Sequence, residues 1–180
     1  MSVRPDAQAP DRVLLFTLAM TGYETVFADC LASQREYCRR HGYEYLVITE
    51  SPRPLRATES SWLKIPLLRS ALASGRYSLV AFVDADCEIR PHAPDLRTLA
   101  GAVLMAPGQS GLINAGVIIA RPEVTALGFF DLLIARADAA VPDEDQAPYE
   151  NGHVIHFGKD HPAVRLLAHR QWNNNSVLDP

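Results

Sequence analysis

The stretch 80-VAFVDADCEIR-90 closes an apolar run with two aspartates spaced i, i+2, and Glu88 and Arg90 follow at once. Along a strand, residues two apart point to the same side with Cα atoms about 6.5–7 Å apart, so Asp84 and Asp86 are expected to face one ligand together. Two such carboxylates, buried and unpaired, repel each other and are expensive to desolvate. A divalent cation resolves both problems, and oxygen ligands suit Mg2+ or Mn2+ with room left for phosphate oxygens. The bland alternative has Asp84 capping a loop, Asp86 solvated and Glu88 in a surface ion pair with Arg90. The apolar run 79–83, following a helix, favours the metal reading.

The elements that must position this pair are legible on either side of it. The run 12-RVLLFTLA-19 reads as a strand ending in a turn, 20-MTGYE-24. From Thr25 to Arg40, Val26, Cys30, Leu31 and Tyr37 fall near helical spacing, with His41-Gly42 as the stop. A second strand, 44-EYLVITE-50, leads to a loop marked by Pro52 and Pro54. A helix follows over 60–75, and Pro66 is tolerable there if the helix begins near Lys64. The strongest strand is 77-YSLVAFVDADCEI-89. Beyond it come a loop with Pro91 and Pro94, a short helix, the run 102-AVLMAP-107, a turn at 108-GQSG-111, a strand from Asn114 and an apolar helix over 123–138. The acidic segment 142-PDEDQAPYENG-152 precedes a weaker tail holding 153-HVIHFGKDHP-162 and 171-QWNNNS-176.

Strands alternating with helices over the first ninety or so residues imply right-handed βαβ units and a parallel sheet covered on both faces. In such sheets ligands sit outside the carboxyl ends of the strands. That rule puts Asp84 and Asp86 at the ligand edge, with Thr17 lining the same cleft. The expectation is a tail over 1–11 and a single α/β domain over 12–180.

The bulk numbers narrow the classes. The chain has 180 residues, 48% hydrophobic and 21% charged, with a net charge of −4. The mild negative charge and the absence of Lys/Arg runs give no footprint for nucleic acid. No stretch is apolar and long enough for a membrane span, and the N-terminus lacks a signal-peptide pattern. Cys30, Cys38 and Cys87 lack metal-ligand spacing and read as reduced thiols, so a cytoplasmic location is expected.

With these residues in view, VDADCEI after a βα unit is similar to the DxD signature of GT-A-fold glycosyltransferases, which use nucleotide-sugar donors. The stretch 113-INAGVIIAR-121 resembles the NAG-plus-strand element of retaining GT-A enzymes, including the family-8 group. Asp145-Gln146 in 143-DEDQAPY-149 resembles their DQ element. Further upstream, 36-EYCRRHGYEYLV-47 and 61-SWLKIPLLRSAL-72 resemble segments of the galactosyl/mannosyltransferase (GMA12/MNN10-type) family. The resemblance spans roughly residues 12–175. It implies a single GT-A (Rossmann-like) domain with a mixed, mostly parallel central sheet flanked by helices on both faces. It also implies a metal-dependent transfer of a hexose from a UDP- or GDP-linked sugar to a hydroxyl acceptor, with Mn2+ or Mg2+ as cofactor. The acceptor would be a saccharide, a lipid-linked glycan or a small natural product.

The resemblance assigns roles residue by residue. Asp84 would contact the ribose or the metal, and Asp86 the metal. Asn114 would reach the donor sugar, Asp145 its hydroxyls, and Gln146 the region of the anomeric carbon. Lys64 would pair with phosphate or with a site carboxylate, while Thr17 and Tyr23 would contact the nucleotide. Each has a plainer competitor: Asn114 closing the Gly111 turn, Asp143 to Asp145 forming a solvated loop and helix cap, Lys64 snorkelling at the surface. The family's late histidine ligand is matched by His156 in 156-HFG-158, only ten residues after the DQ element. That histidine reads equally as a satisfied core residue on an apolar strand. The expected reaction is retaining, by front-face displacement assisted by the leaving phosphate. An inverting route would instead use Asp145 or Glu144 as base. Two other classes compete: a truncated nucleotide-sugar-binding domain, and an aspartyl-phosphate phosphohydrolase, which Glu88 disfavours because a Thr or Val normally stands there.

Overall fold

In the computed structural model, which describes residues 11–174, the first strand β1 (Val13–Leu18) is buried on both sides. Its residues alternate between two core layers, Leu14 and Phe16 entering one, Val13 and Leu15 the other. A sharp turn follows, with Thr21 and Gly22 at positive φ (58° and 88°). The chain then forms α1 (Tyr23–Val26) and α2 (Ala28–His41). Gly42 ends α2 in the left-handed conformation, φ 71°, its N–H donating to the Cys38 carbonyl. Glycine takes that conformation without the steric penalty a Cβ would bring. The His41-Gly42 stop expected from sequence is therefore observed, while the helical segment starts earlier and breaks at Phe27.

After β2 (Glu44–Ile48), the expected helix over 60–75 divides into α3 (Ala57–Trp62) and α4 (Lys64–Ala73). Pro66 falls in the first turn of α4, where its missing N–H breaks no intrahelical bond. That start places Lys64 at the head of the helix. β3 (Leu79–Val83) has every residue buried. A 3-10 turn at Leu96–Thr98 is capped by Asp95, which accepts from the Arg97 N–H. Then come β4 (Val103–Pro107), β5 (Ile113–Ala120), α5 (Val124–Ala135), a 3-10 turn at Asp143–Asp145, α6 (Asn151–Gly158), β6 (Val164–Leu166) and α7 (His169–Trp172).

The six strands form one sheet in the order β2-β1-β3-β5-β4-β6. β5 is antiparallel to both its neighbours, and the other pairings are parallel. One face packs against α4, α5 and α6 through Ile65, Leu68, Phe129, Phe130, Val154 and Ile155. The opposite face packs against α2 through Tyr37 and Cys38. This is the mixed, mostly parallel, doubly covered sheet that the sequence implied. Among the described residues no helix is long and apolar enough to cross a membrane.

Two expectations are corrected. The strand read over 77–89 stops at Val83, so Asp84 to Asp86 stand in a turn rather than on a strand. The reason is local. The Asp84 N–H donates to the Gly116 carbonyl (2.8 Å), and the Cys87 N–H closes back on the Asp84 carbonyl (3.1 Å). Past that last cross-strand bond the chain folds back, the Asp84 carbonyl accepting from the Cys87 N–H rather than from a neighbouring strand. Second, 153-HVIHFG-158 is helix, not strand: Val154, Ile155 and Gly158 are buried at helical spacing.

Candidate active site

Asp84 leaves β3 at the carboxyl edge of the three parallel strands β1, β2 and β3. Its Oδ1 accepts from the Lys64 Nζ at 3.0 Å, while its side chain keeps 40% of its surface open. One flank is thus closed by protein and the other is open to solvent. The surrounding protein pushes its carboxyl above the ordinary value against the pull of Lys64, and nearby Asp86 and Glu150 add to the rise. Asp86, two residues on, is exposed. Its neighbours on the protein side are thiols. Cys30 Sγ donates to the Asp86 carbonyl at 3.4 Å, and Cys87 Sγ to its Oδ1 at 3.8 Å. Burial, with Asp84 and Asp86 beside it, pushes the Cys87 thiol up to about 12, so it stays neutral. Glu88 lies 3.9 Å from Arg90, both exposed, as the surface ion pair weighed from sequence.

The turn is held from below by Gln34 of α2, which sequence reading missed. It is fully buried, and its Nε2 donates to the carbonyls of Asp84 and Cys87, both at 2.9 Å. Its own Oε1 accepts from the Tyr45 hydroxyl at 3.0 Å. A polar residue in the middle of an otherwise amphipathic helix was the only sequence signal available.

Beside this turn, β5 bulges. Its pairing with β4 jumps from Met105↔Ile118 to Ala106↔Asn114. Asn114 Oδ1 accepts from the Gly116 N–H at 2.8 Å, and the Ala115 N–H donates to Asn151 Oδ1 at 2.9 Å. A Cβ on Gly116 would lie 2.8 Å from Asn114 Oδ1 and 2.9 Å from Asp84 Oδ2. The glycine of the NAG element is therefore what lets the Asp84 carboxylate and the Asn114 amide lie against one backbone position.

Lys64 is the buried hub of this edge, 4% exposed. Besides Asp84 it meets Glu150 Oε1 at 2.8 Å and the Ala115 carbonyl at 3.4 Å, with its ammonium 4.5 Å from the centre of the Phe82 ring. Burial opposes its charge, but Asp84 and Glu150 together outweigh that and raise its pKa, so it stays protonated. Glu150 was also missed from sequence. It is 4% exposed, and its Oε2 has no hydrogen-bond partner among the described residues. Sequence placed it in an acidic segment, where it looked like one solvated acid among several.

The DQ element divides. Asp145 is buried, its Oδ2 held by Lys159 Nζ (2.6 Å) and by His156 Nδ1 (2.7 Å). Lys159 and then His156 keep its carboxyl below the ordinary value. Gln146 is exposed, donating to Asp143 Oδ1 at 3.0 Å. It lines an open cleft of about 440 Å3 with Val141, Ala147, Tyr149, Gly152 and His153. Tyr149 is 55% exposed with φ 59°, an uncommon backbone for a non-glycine residue. A second cleft, of about 360 Å3, lies beyond the carboxyl ends of β1 and β2, bounded by Met20, Thr21, Thr49, Glu50, Arg53 and Ser60 among others.

The remaining sequence-predicted residues fall elsewhere. Thr17 does not line the cleft surface: it is fully buried, because strand alternation turns it inward with Val13 and Leu15. Tyr23 is half-exposed at the head of α1, edge-on to Phe27 at 5.1 Å. His156 sits on α6, engaged through Nδ1 by Asp145. Among the described residues no three His, Cys, Asp or Glu side chains gather closely enough to hold a metal, so Asp84, Asp86 and His156 do not form one ready-made site.

Residues 8–87, from before β1 through the aspartate turn, match the galactosyl transferase GMA12/MNN10 family. No curated protein sequence matches the chain. Among solved structures, the chain is similar to a glycosyltransferase involved in the glycosylation of the major capsid of PBCV-1. The TM-score is 0.65 at 17% identity, over 88% of this chain and 81% of that one. The family match takes in fewer than half of the chain's residues, and the likeness to the solved structure shows a shared fold.

Proposed function

From that fold and match we propose that the protein transfers a hexose from a nucleotide-diphosphate sugar to a hydroxyl acceptor, with a divalent cation at Asp84 and Asp86. One observation carries the reading most: an Asp-Ala-Asp turn at the carboxyl edge of β3, packed without a Cβ between against Asn114 and backed by a buried lysine. The donor set fits a hard cation. Mg2+ and Mn2+ take one or two carboxylates and fill their remaining positions with water and substrate phosphates, which is what Asp84 and the exposed Asp86 offer. When bound, such a cation neutralises charge developing on the leaving diphosphate. His156 is left outside this donor set, because its Nδ1 is already committed to Asp145 and it is not clustered with the aspartates.

The chain's own residues divide the remaining work. The cleft beyond β1 and β2 suits the nucleoside, since ligands of parallel sheets sit at that edge. Asn114, fixed by its bond to the Gly116 N–H, presents its amide group beside Asp84 toward the sugar. Gln146 and Tyr149 border the open cleft assigned here to the acceptor, whose class is a saccharide, a lipid-linked glycan or a small natural product. Both Asp145 oxygens are engaged by Lys159, and its carboxyl is held low, so it is a poor proton acceptor. That favours retention by front-face displacement over an inverting route with Asp145 as base.

The deciding experiment is a donor screen following hydrolysis and transfer from UDP- and GDP-sugars with and without Mn2+, with the product anomer read by NMR. Metal-stimulated turnover with a retained anomer is expected. An inverted anomer overturns the stereochemistry, and binding of nucleotide sugar that ignores metal overturns the cation.

A further inference from the structure

Lys64 stands between two carboxylates that differ in one respect. Asp84 reaches it with Oδ1 and leaves its other side open to solvent. Glu150 reaches it with Oε1 and leaves Oε2 buried with no partner among the described residues. A buried carboxylate oxygen without a donor is destabilising, so its retention calls for an explanation in another state of the site. A divalent cation on Asp84 supplies one. It would bind the same carboxylate that Lys64 holds at 3.0 Å, placing two positive centres against each other. Lys64 is 4% exposed and cannot retreat into water. The group able to take it fully is Glu150, 2.8 Å away with one oxygen still free.

We propose that Glu150 is a positioning residue that accepts Lys64 when a cation occupies Asp84 and Asp86, releasing Asp84 to act as a metal ligand. Sequence position fits the role. Glu150 immediately precedes α6, whose Asn151 side chain anchors the Ala115 N–H, so the segment carrying the carboxylate is tied to the β5 bulge. Lys64 also meets the Ala115 carbonyl, which gives the ammonium a fixed pivot between its two partners.

The inference rests on the metal reading above, and its test separates the two. Mn2+ is titrated into the 180-residue chain, alone and with UDP or GDP, and free Mn2+ is followed by electron paramagnetic resonance. Glu150→Gln is expected to weaken Mn2+ binding about tenfold or more, since it removes one charge near the site and leaves Lys64 only Asp84 to hold. The double variant Lys64→Met/Glu150→Gln removes the competitor as well and is expected to restore wild-type affinity. Urea denaturation checks that each variant is folded, and the double variant, which leaves no unpaired ammonium in the interior, keeps the test valid where Glu150→Gln proves unstable. Unchanged Mn2+ affinity in Glu150→Gln, or a double variant as weak as the single one, overturns the role of Glu150 alone. Wild-type protein that binds no Mn2+ under any of these conditions overturns the metal reading and this inference with it.

Discussion

Asp84 and Asp86 carry equal charge in the sequence and unequal surroundings in the structure. Asp84 is braced by Lys64, Gly116 and Gln34, whereas Asp86 is exposed. Asp86→Ala should therefore leave stability within about 0.5 kcal/mol of wild type, as surface substitutions usually do, while abolishing metal-dependent donor binding. Calorimetric titration with a nucleotide sugar and Mn2+ reads the second effect, and unchanged binding would remove the metal assignment. Gly116→Ala should act oppositely. Its Cβ would enter the 2.8–2.9 Å contacts with Asn114 and Asp84 and push them apart. Crowding of this kind costs about 1–3 kcal/mol, and donor affinity should fall with it. A Gly116→Ala protein with wild-type affinity would mean that the close approach of Asn114 to Asp84 is unimportant.

At the scale of elements, α2 supports the aspartate turn through one side chain. Gln34→Ala strands the Cys87 carbonyl and leaves that of Asp84 only the Cys87 N–H, and leaving a buried acceptor unpaired costs about 1–3 kcal/mol. Urea unfolding should show that loss, and Mn2+ affinity should drop because the turn loses its brace. Helix α3 offers a pH test. Glu59 accepts from Arg53 Nη2, the Arg56 N–H and Arg56 Nε, and these hold its carboxyl at about 2 against an ordinary 4.5. A depressed carboxyl contributes stability that is complete above 4.5 and is lost as pH falls toward 2. The amide resonance of Ser60, which lines the cleft beyond β1 and β2, should therefore titrate with a midpoint near 2. A midpoint near 4.5 would show that the arginines do not hold the start of α3.

For the whole molecule, the family match and the fold likeness cover different ground. The match ends at residue 87, so it takes in β1 to β3 and the aspartate turn but none of β5 or α6. The fold likeness extends over 88% of the chain and so reaches well beyond the matched segment. Because the site is shared between that segment and the rest of the chain, ligand binding should stabilise the fold as a unit. At a hundredfold excess over Kd, ligand adds about 2.7 kcal/mol. Nucleoside diphosphate with Mn2+ should thus raise Tm by roughly 5–10 °C for a chain of this size. A shift with Mn2+ alone equal to that with both would mean that the nucleotide does not bind here.

The sequence by itself determined the alternation of strands and helices, the stop at Gly42, the start of α4 at Lys64 and the placing of Asp84 at the carboxyl edge of the parallel strands. All of these follow from local rules: side-chain period, glycine's left-handed backbone, and proline's missing N–H. It misjudged the end of β3 and the 153–158 segment, since a strand's last residue depends on which carbonyl its N–H meets across the sheet. It also passed over Gln34 and Glu150, whose types are ordinary on a surface and informative only when buried. What lies beside what was decided by tertiary structure alone. The VDAD turn, once read as two aspartates on one face of a strand, is a turn clamped by Gln34 and flanked by Gly116. Lys64 is shared there by two carboxylates 66 positions apart in the chain (150 − 84). No periodicity in the chain encodes that contact, because it exists only where α4, β3 and the start of α6 meet.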